Sequence, residues 1–297
     1  MTDATVATDA TDTTDSAMPS PATPGGAGRH LAAALLILAV ALALILLLPL
    51  PALAAAPISA RPGVSLPEQF EQALAASRDG RFSEALILWD GVLEQDPSQA
   101  AAWSNRGNVR LALGDPEGAI EDQGRAMALD PLNPDPHLNR GTAEEALQRW
   151  QAAAADYTWI LERDPADASA LYNLGNVRGS QGDWTEARRC YDAADLARPG
   201  FAMARSSAAL AAFQLGDLEA AERQFRQLIR RYPLFADARA GLTALLWRQG
   251  AQGEAESNWA AASGLDPRYR QEEWLLRIRR WPPVPVQALA QFLALAS

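Results

Sequence analysis

The sequence predicts an all-α solenoid, and three observations carry that prediction. Nearly the same dozen residues occur twice, as SNRGNVRLALGD at 104–115 and YNLGNVRGSQGD at 172–183, an offset of 68. Half that offset, 34, brings Pro97, Pro131, Pro165, Pro199, Pro233 and Pro267 into one series, and Ala85, Ala119, Ala153, Ala187, Ala221 and Ala255 into another. A fixed period of this size marks stacked units that together bury a core none could close alone. Composition agrees, since a chain 48% hydrophobic but only 7% aromatic, and rich in alanine, suits thin, closely packed helices.

The 297 residues divide accordingly. Residues 1–28 are low in complexity, carry four aspartates and read as disordered, and initiation at Met18 would give a more usual leader than Met1. Residues 29–54 read as a signal peptide or a signal anchor. Eighteen consecutive apolar residues, Leu31 to Leu48, follow Arg29, which favours keeping the N-terminus in the cytoplasm. Pro49 and Pro51 end that helix, and Ala52-Leu53-Ala54 offers the small residues that signal peptidase reads, so cleavage after Ala54 is expected. Left uncleaved, the run is near the length that spans a bilayer and would tether the protein to the membrane through residues 31–48. With neither a cysteine near its end nor a preceding arginine pair, a lipoprotein or twin-arginine route is excluded and general secretion remains. Residues 55–65 form a linker.

Six units follow without insertion, at 66–99, 100–133, 134–167, 168–201, 202–235 and 236–269. Within each, the position of Gly80, Gly114, Gly182, Gly216 and Gly250 is where a first helix stops, because glycine takes the left-handed conformation at little cost. Asp115, Asp183 and Asp217 follow and can cap the second helix. The alanine series lies on that helix, and four residues later on the same face come Trp89, Tyr157, Tyr191, Phe225 and Trp259, rings that fill the space between units. Gly107, Gly141 and Gly175 on first helices allow close approach of the second helix, and the prolines end it.

After the repeats, RQEEWLLRIRRW reads as a capping helix that covers the last unit with Trp274, Leu275, Ile278 and Trp281. PPVP breaks the chain, and VQALAQFLALA follows with no charge at all, so something must cover it. It either folds back onto the cap or docks on a membrane complex, helped by Arg277, Arg279 and Arg280.

Net charge is −10, and all 26 basic residues are arginine. An acidic chain without clustered basic residues is a poor candidate for nucleic acid. Residues 66–167 carry 19 acids against 8 arginines and residues 168–297 carry 13 against 16, a polarity that could orient a partner or simply solvate outer faces. No enzyme is expected. His30 and His137 are the only histidines, with His137 read as a surface residue, so neither a metal site nor a serine–histidine pair assembles. GDPEGA and RDGRFSEA are turns and not phosphate-binding loops. The acidic pairs Glu144-Glu145 and Glu121-Asp122 read as solvated faces, because adjacent helical residues point apart. Cys190, the sole cysteine, reads as structural despite the neighbouring Arg188 and Arg189. No cofactor, metal or small-molecule substrate is expected.

The repeated positions resemble the tetratricopeptide repeat pattern W-x2-L-G-x2-Y, A-x3-F, P. The match is closest at Leu171, Leu174, Gly175, Ala187, Tyr191 and Pro199, with Arg178 where tyrosine is wanted. In the second unit Trp103, Gly107, Ala119 and Pro131 fit, while Arg106 and Gln123 replace the leucine and the aromatic. The resemblance implies a right-handed α-solenoid of six 34-residue helix-turn-helix repeats with C-terminal capping helices. It also implies a concave groove faced by the second, fifth, ninth and twelfth positions of the first helices.

Those positions hold Ser104, Asn108, Asp135, Leu138, Thr142, Glu145, Ser169, Tyr172, Asn176, Met203, Ser206, Leu210 and Phe213. One place beyond the fifth position stand Asn105, Asn139 and Asn173, which could hydrogen-bond a peptide backbone or cap local turns. The lysine-based carboxylate clamp of chaperone-binding members is missing, since Phe70, Ser104 and Leu138 stand at its places. Apolar side chains mixed with amides suit an amphipathic helix or an extended segment of a protein partner. The expected function is a non-enzymatic, exported scaffold that assists assembly or stability of a membrane-associated complex. The location would be the periplasm or the thylakoid lumen, since an export signal, repeats and an Arg-Arg-Trp-Pro-Pro tail are similar to lumenal tetratricopeptide proteins of cyanobacteria and chloroplasts. A cell-envelope or peptidoglycan-assembly adaptor, and a membrane-tethered self-associating protein, are the alternatives.

Overall fold

The computed structural model describes residues 64–295, so the apolar run at 31–48 and the expected cleavage after Ala54 lie outside the described residues. Among these residues there are fourteen α-helices, one short 3-10 turn and no strand. First helices are α1 (Leu66–Arg78), α3 (Ala100–Ala112), α5 (Pro134–Ala146), α7 (Ala168–Ser180), α9 (Ala202–Gln214) and α11 (Ala236–Arg248). They alternate with second helices α2 (Phe82–Gln95), α4 (Pro116–Leu129), α6 (Trp150–Leu161), α8 (Trp184–Ala197), α10 (Leu218–Arg231) and α12 (Gln252–Leu265). Both sets begin every 34 residues without slippage.

The turn chemistry explains that regularity. Gly114 and Gly182 both sit at φ +84° and close the first helices of their units. Gln148 holds the same place in the third unit at φ +57°, a side-chain-bearing residue in the left-handed region. The carboxylates of Asp115, Asp183 and Asp217 then accept from the backbone amides of Gly118, Glu186 and Ala220 at 2.9, 3.1 and 3.2 Å, satisfying amides that the new helix leaves unpaired.

Packing follows the two series. Every alanine of the second-helix series is buried, as are Trp89, Tyr157, Tyr191, Phe225 and Trp259 four residues on. The first helix must come close to reach those rings. A methyl group added at Gly141 would lie 2.5 Å from the Tyr157 ring, and one at Gly175 would lie 2.6 Å from the Tyr191 ring. In the second unit the ring is absent and Gln123, also buried, donates instead to the Ser104 carbonyl at 2.9 Å and to Asn108 Oδ1 at 3.1 Å.

Beyond the repeats the chain departs from the expected order. Pro267–Arg270 forms the 3-10 turn, α13 (Glu272–Arg277) is six residues long, and α14 (Pro283–Leu295) opens with prolines in its first turn, where no intrahelical amide is needed. Leu275 and Trp281 are buried as caps should be, but Ile278 is exposed. The uncharged α14 touches α13, yet its main packing is on α11 and α9, which are both first helices.

Candidate protein-binding groove

The face made by the first helices divides in two. Toward the N-terminus, α3 and α5 enclose an open pocket of about 320 Å³ lined by Ser104, Asn105, Asn108, Asn133, Asp135 and Asn139. Its amides belong to both helices, and Asn139 bridges them by donating to Ser104 Oγ at 3.2 Å. Asn105 donates to the Ala101 carbonyl one turn back, and Thr142 does the same to Leu138. Asn105 therefore caps no turn. Asn108 is exposed, and its Nδ2 carries no hydrogen bond among the described residues while its Oδ1 is held by Gln123. Side chains fixed on one side and open on the other can pair with a peptide group.

Further along, Leu138, Tyr172, Asn173 and Asn176 are half-buried. Tyr172 tilts against Tyr191 and Phe201 with ring centroids 5.6 and 5.1 Å away, and Asn176 Oδ1 accepts from the Tyr191 hydroxyl at 3.0 Å. Asn176 thus orients a core ring as well as facing the groove.

The C-terminal half corrects the expectation of an exposed surface. Ser206, Leu210 and Phe213 are buried, Phe213 completely, on a helix against which the chain's own terminal segment packs. Leu210 and Phe213 share a core cluster with Trp281, Val286, Leu289 and Phe292. The Val284 amide donates to Gln214 Oε1 at 2.8 Å, and Arg279 Nη2 lies 2.9 Å from Met203 Sδ. Side chains that would have anchored a partner here pack instead against residues 279–292.

Two acids hold that segment. Asp237, 1% exposed, accepts from Arg279 at 2.7 and 3.1 Å, Trp281 Nε1 at 3.0 Å, the Tyr269 hydroxyl at 2.8 Å and Ser206 Oγ at 2.6 Å. Burial pushes its carboxyl up, but the Arg279 charge and these donors outweigh burial and hold it below the ordinary aspartate range. Glu145 on α5 accepts from Arg280 and from the Tyr157 hydroxyl.

Glu144 and Glu145 are therefore not a solvated pair; both are buried. Asp122 is buried too, although Glu121 is exposed as expected. Arg106 clasps Asp122 with Nε and Nη2 at 2.8 and 2.7 Å, and one period later Arg140 clasps Asp156 at the same two distances. His137 is not a surface residue either. It is buried, lies 2.8 Å from Asp156 and stacks on Trp159 at a centroid distance of 3.7 Å. A further period on, the pair becomes Leu174 and Cys190, so Cys190 occupies an aspartate's place in an apolar version of the same contact. Burial, with Glu186 beside it, pushes the Cys190 thiol up to about 11, which leaves it unreactive at neutral pH. The signal for these pairs was in the sequence as Arg, Arg, Leu against Asp, Asp, Cys at a spacing of 16.

No group of three or more His, Cys, Asp or Glu side chains suited to a metal occurs among the described residues, and no described helix is long and apolar enough to cross a membrane. A family model described as tetratricopeptide repeat matches residues 70–134, 138–201, 174–222 and 206–269. The mitochondrial import receptor subunit TOM34 of Rattus norvegicus is 32% identical over 108 residues, which cover 34% of this chain and 35% of that protein. The chain thus spans about a third of the length of this curated relative. Among solved structures, the Cut9–Hcn1 hetero-tetramer of the APC/C gives a TM-score of 0.62 at 16% identity, covering 77% of this chain and 43% of that one. PilF of Pseudomonas aeruginosa gives 0.59 at 18%, covering 68% and 92%. At these identities the structural matches speak to the fold alone.

Proposed function

The chain belongs to the tetratricopeptide repeat family, and from that premise we propose that it is a non-enzymatic protein-interaction scaffold whose partner lies as an extended segment across α3 and α5. The observation that carries this reading is the open pocket of Ser104, Asn105, Asn108, Asn133, Asp135 and Asn139. Amides fixed on two neighbouring helices can pair with successive peptide groups of one strand. The acidic balance of residues 66–167 favours a partner with basic side chains beside that strand. Export remains part of the proposal and rests on Arg29 and the apolar run Leu31 to Leu48. The repeats would then work outside the cytoplasm, in the periplasm or a lumen, on assembly or stability of a membrane-associated complex.

Affinity purification of the tagged chain from its native host, with mass spectrometry, tests both parts. The expected result is a protein partner lost from an Asn108→Ala, Asn139→Ala double variant, and recovery of the chain outside the cytoplasm with an N-terminus near Ala55. Membrane-complex subunits among the captured proteins support the assembly role, and cell-wall enzymes would favour the envelope adaptor. A partner set unchanged by the double variant sinks the pocket reading, and a cytosolic, full-length product sinks export.

A further inference from the structure

The terminal segment reads as an occupant of the groove, because most of the residues it contacts are groove-facing ones, although Phe292 also meets Trp259 of α12 at 6.1 Å between ring centroids. Met203 of α9, Asp237 of α11 and Glu145 of α5 lie on first helices and meet Arg279, Trp281 or Arg280 directly, while Leu210 and Phe213 of α9 share one core cluster with Trp281, Val286, Leu289 and Phe292. The recognition has a definite chemistry. Two acids on separate helices receive two adjacent arginines, and the indole N–H of Trp281 shares Asp237 with Arg279. Val286, Leu289 and Phe292 then lie along one face of α14 and meet apolar residues of α9 and α11, with Phe292 edge-on to Trp247 at 5.8 Å. This is the arrangement of an amphipathic helix in a receptor groove, preceded by a charged anchor.

Two features set the segment apart from a permanent extra repeat. Arg280 sits at φ +53°, which arginine adopts only at a cost, at the point where neighbouring arginines part to different helices. In addition Gln287, Gln291 and Leu295 on the far side of α14 are exposed. Its release would leave the helix pairs from α1 to α12 in place while uncovering Trp247 and Trp259, on which Phe292 packs.

We propose that residues 279–295 are a resident ligand of the concave groove, displaced by a partner segment of the same chemistry: two adjacent arginines, an indole and then a short apolar helix. This surface is separate from the amide pocket and does not depend on it. The tail competes at the effective concentration of a short tether, on the order of millimolar. A free peptide therefore binds the intact chain with an apparent Kd near that value, however tight its contacts, and tightens as the tail is weakened.

The test uses the full chain and a fluorescein-labelled peptide with the sequence of residues 278–295. Intact protein should bind it only near millimolar. A full-length Arg279→Ala, Trp281→Ala variant should bind it at least tenfold more tightly, and a peptide with both arginines replaced by alanine should lose that gain. Equal binding by intact and weakened chains overturns the proposal. Should the weakened chain fail to fold, hydrogen exchange on the wild-type protein decides. Amides of α14 at least tenfold less protected than those of α11 support a tail that undocks alone, whereas equal protection of the two helices makes α14 a fixed cap and overturns it. Loss of the amide pocket's partner would leave each of these outcomes unchanged.

Discussion

Arg279 donates two hydrogen bonds to Asp237, at 2.7 and 3.1 Å, and so fixes the end of the chain to the last first helix from within the groove. Removing one member of a buried ion pair leaves the other uncompensated, at a cost of about 3–5 kcal/mol. Asp237→Asn should therefore lower stability by that order. The pH dependence has a definite sign. The Asp237 carboxyl lies lower in the folded chain than in the unfolded one, so its contribution is complete above the unfolded value of about 3.9 and is lost as pH falls through the folded value. In thermal melts the gap between wild type and Asp237→Asn should stay constant from pH 5 to 7 and shrink below about pH 4. A gap that widened on acidification would contradict the assignment.

Gln148 holds the place that glycine holds at Gly114 and Gly182, with φ +57°. A left-handed residue with a side chain costs about 1–2 kcal/mol relative to its ordinary conformation. Gln148→Gly should raise stability by about 1 kcal/mol after the extra backbone entropy of glycine in the unfolded chain is subtracted. The check is a denaturant midpoint, and an unchanged or lower midpoint would count against the geometry of this turn.

How much of this could be read beforehand depends on distance along the chain. The period, the turn glycines, the aspartate caps and the inward rings are legible because each rests on contacts within a unit or between neighbours, which repetition writes from three to six times. Phe213 shows where that reading stopped. Its helix position is groove-facing, but it is buried in a cluster that includes a segment about 70 residues further on, which no period announces. VQALAQFLALA did demand a cover through its lack of charge, yet not which surface would supply it. His137 and Asp122 are illegible for a related reason, since a buried polar residue is told from a solvated one only by its partner, Asp156 in one case and Arg106 in the other. Phe213→Ala should therefore destabilise the chain, by the roughly 3–5 kcal/mol that loss of a fully buried phenylalanine costs.

Asp122 tests the buried pairs. Its side chain is 2% exposed, and Arg106, which clasps it, is 12% exposed and reaches Asp90 at 2.7 Å with its remaining amine. Asp122→Ala leaves that arginine half-satisfied in a closed site, so a loss of about 3–5 kcal/mol is expected in chemical denaturation. Arg81 makes two exposed pairs, with Asp79 and Glu84, and its replacement by alanine should cost less than about 1 kcal/mol. Similar losses for the two variants would mean that the Arg106–Asp122 contact is not buried as described.

The amide pocket makes the last prediction, and it separates binding from folding. Asn108 is exposed, and Asn139 gives only a 3.2 Å bond to Ser104 Oγ, so replacing both by alanine removes little that the free chain uses. The Gln123 amide, which bonds Asn108, keeps its 2.9 Å bond to the Ser104 carbonyl. Helical content should be unchanged and stability lowered by no more than about 1–3 kcal/mol, the scale for the two part-buried hydrogen bonds removed. Binding should respond differently. Two amides that each contribute about 0.5–1.5 kcal/mol to a bound strand are lost together, which weakens the complex by roughly fivefold to a hundredfold. Titration of the purified partner by calorimetry measures this directly. If the double variant binds as wild type does while the Arg279→Ala, Trp281→Ala chain alone changes affinity, the partner enters the half of the groove that the tail covers, and the amide pocket is not its site.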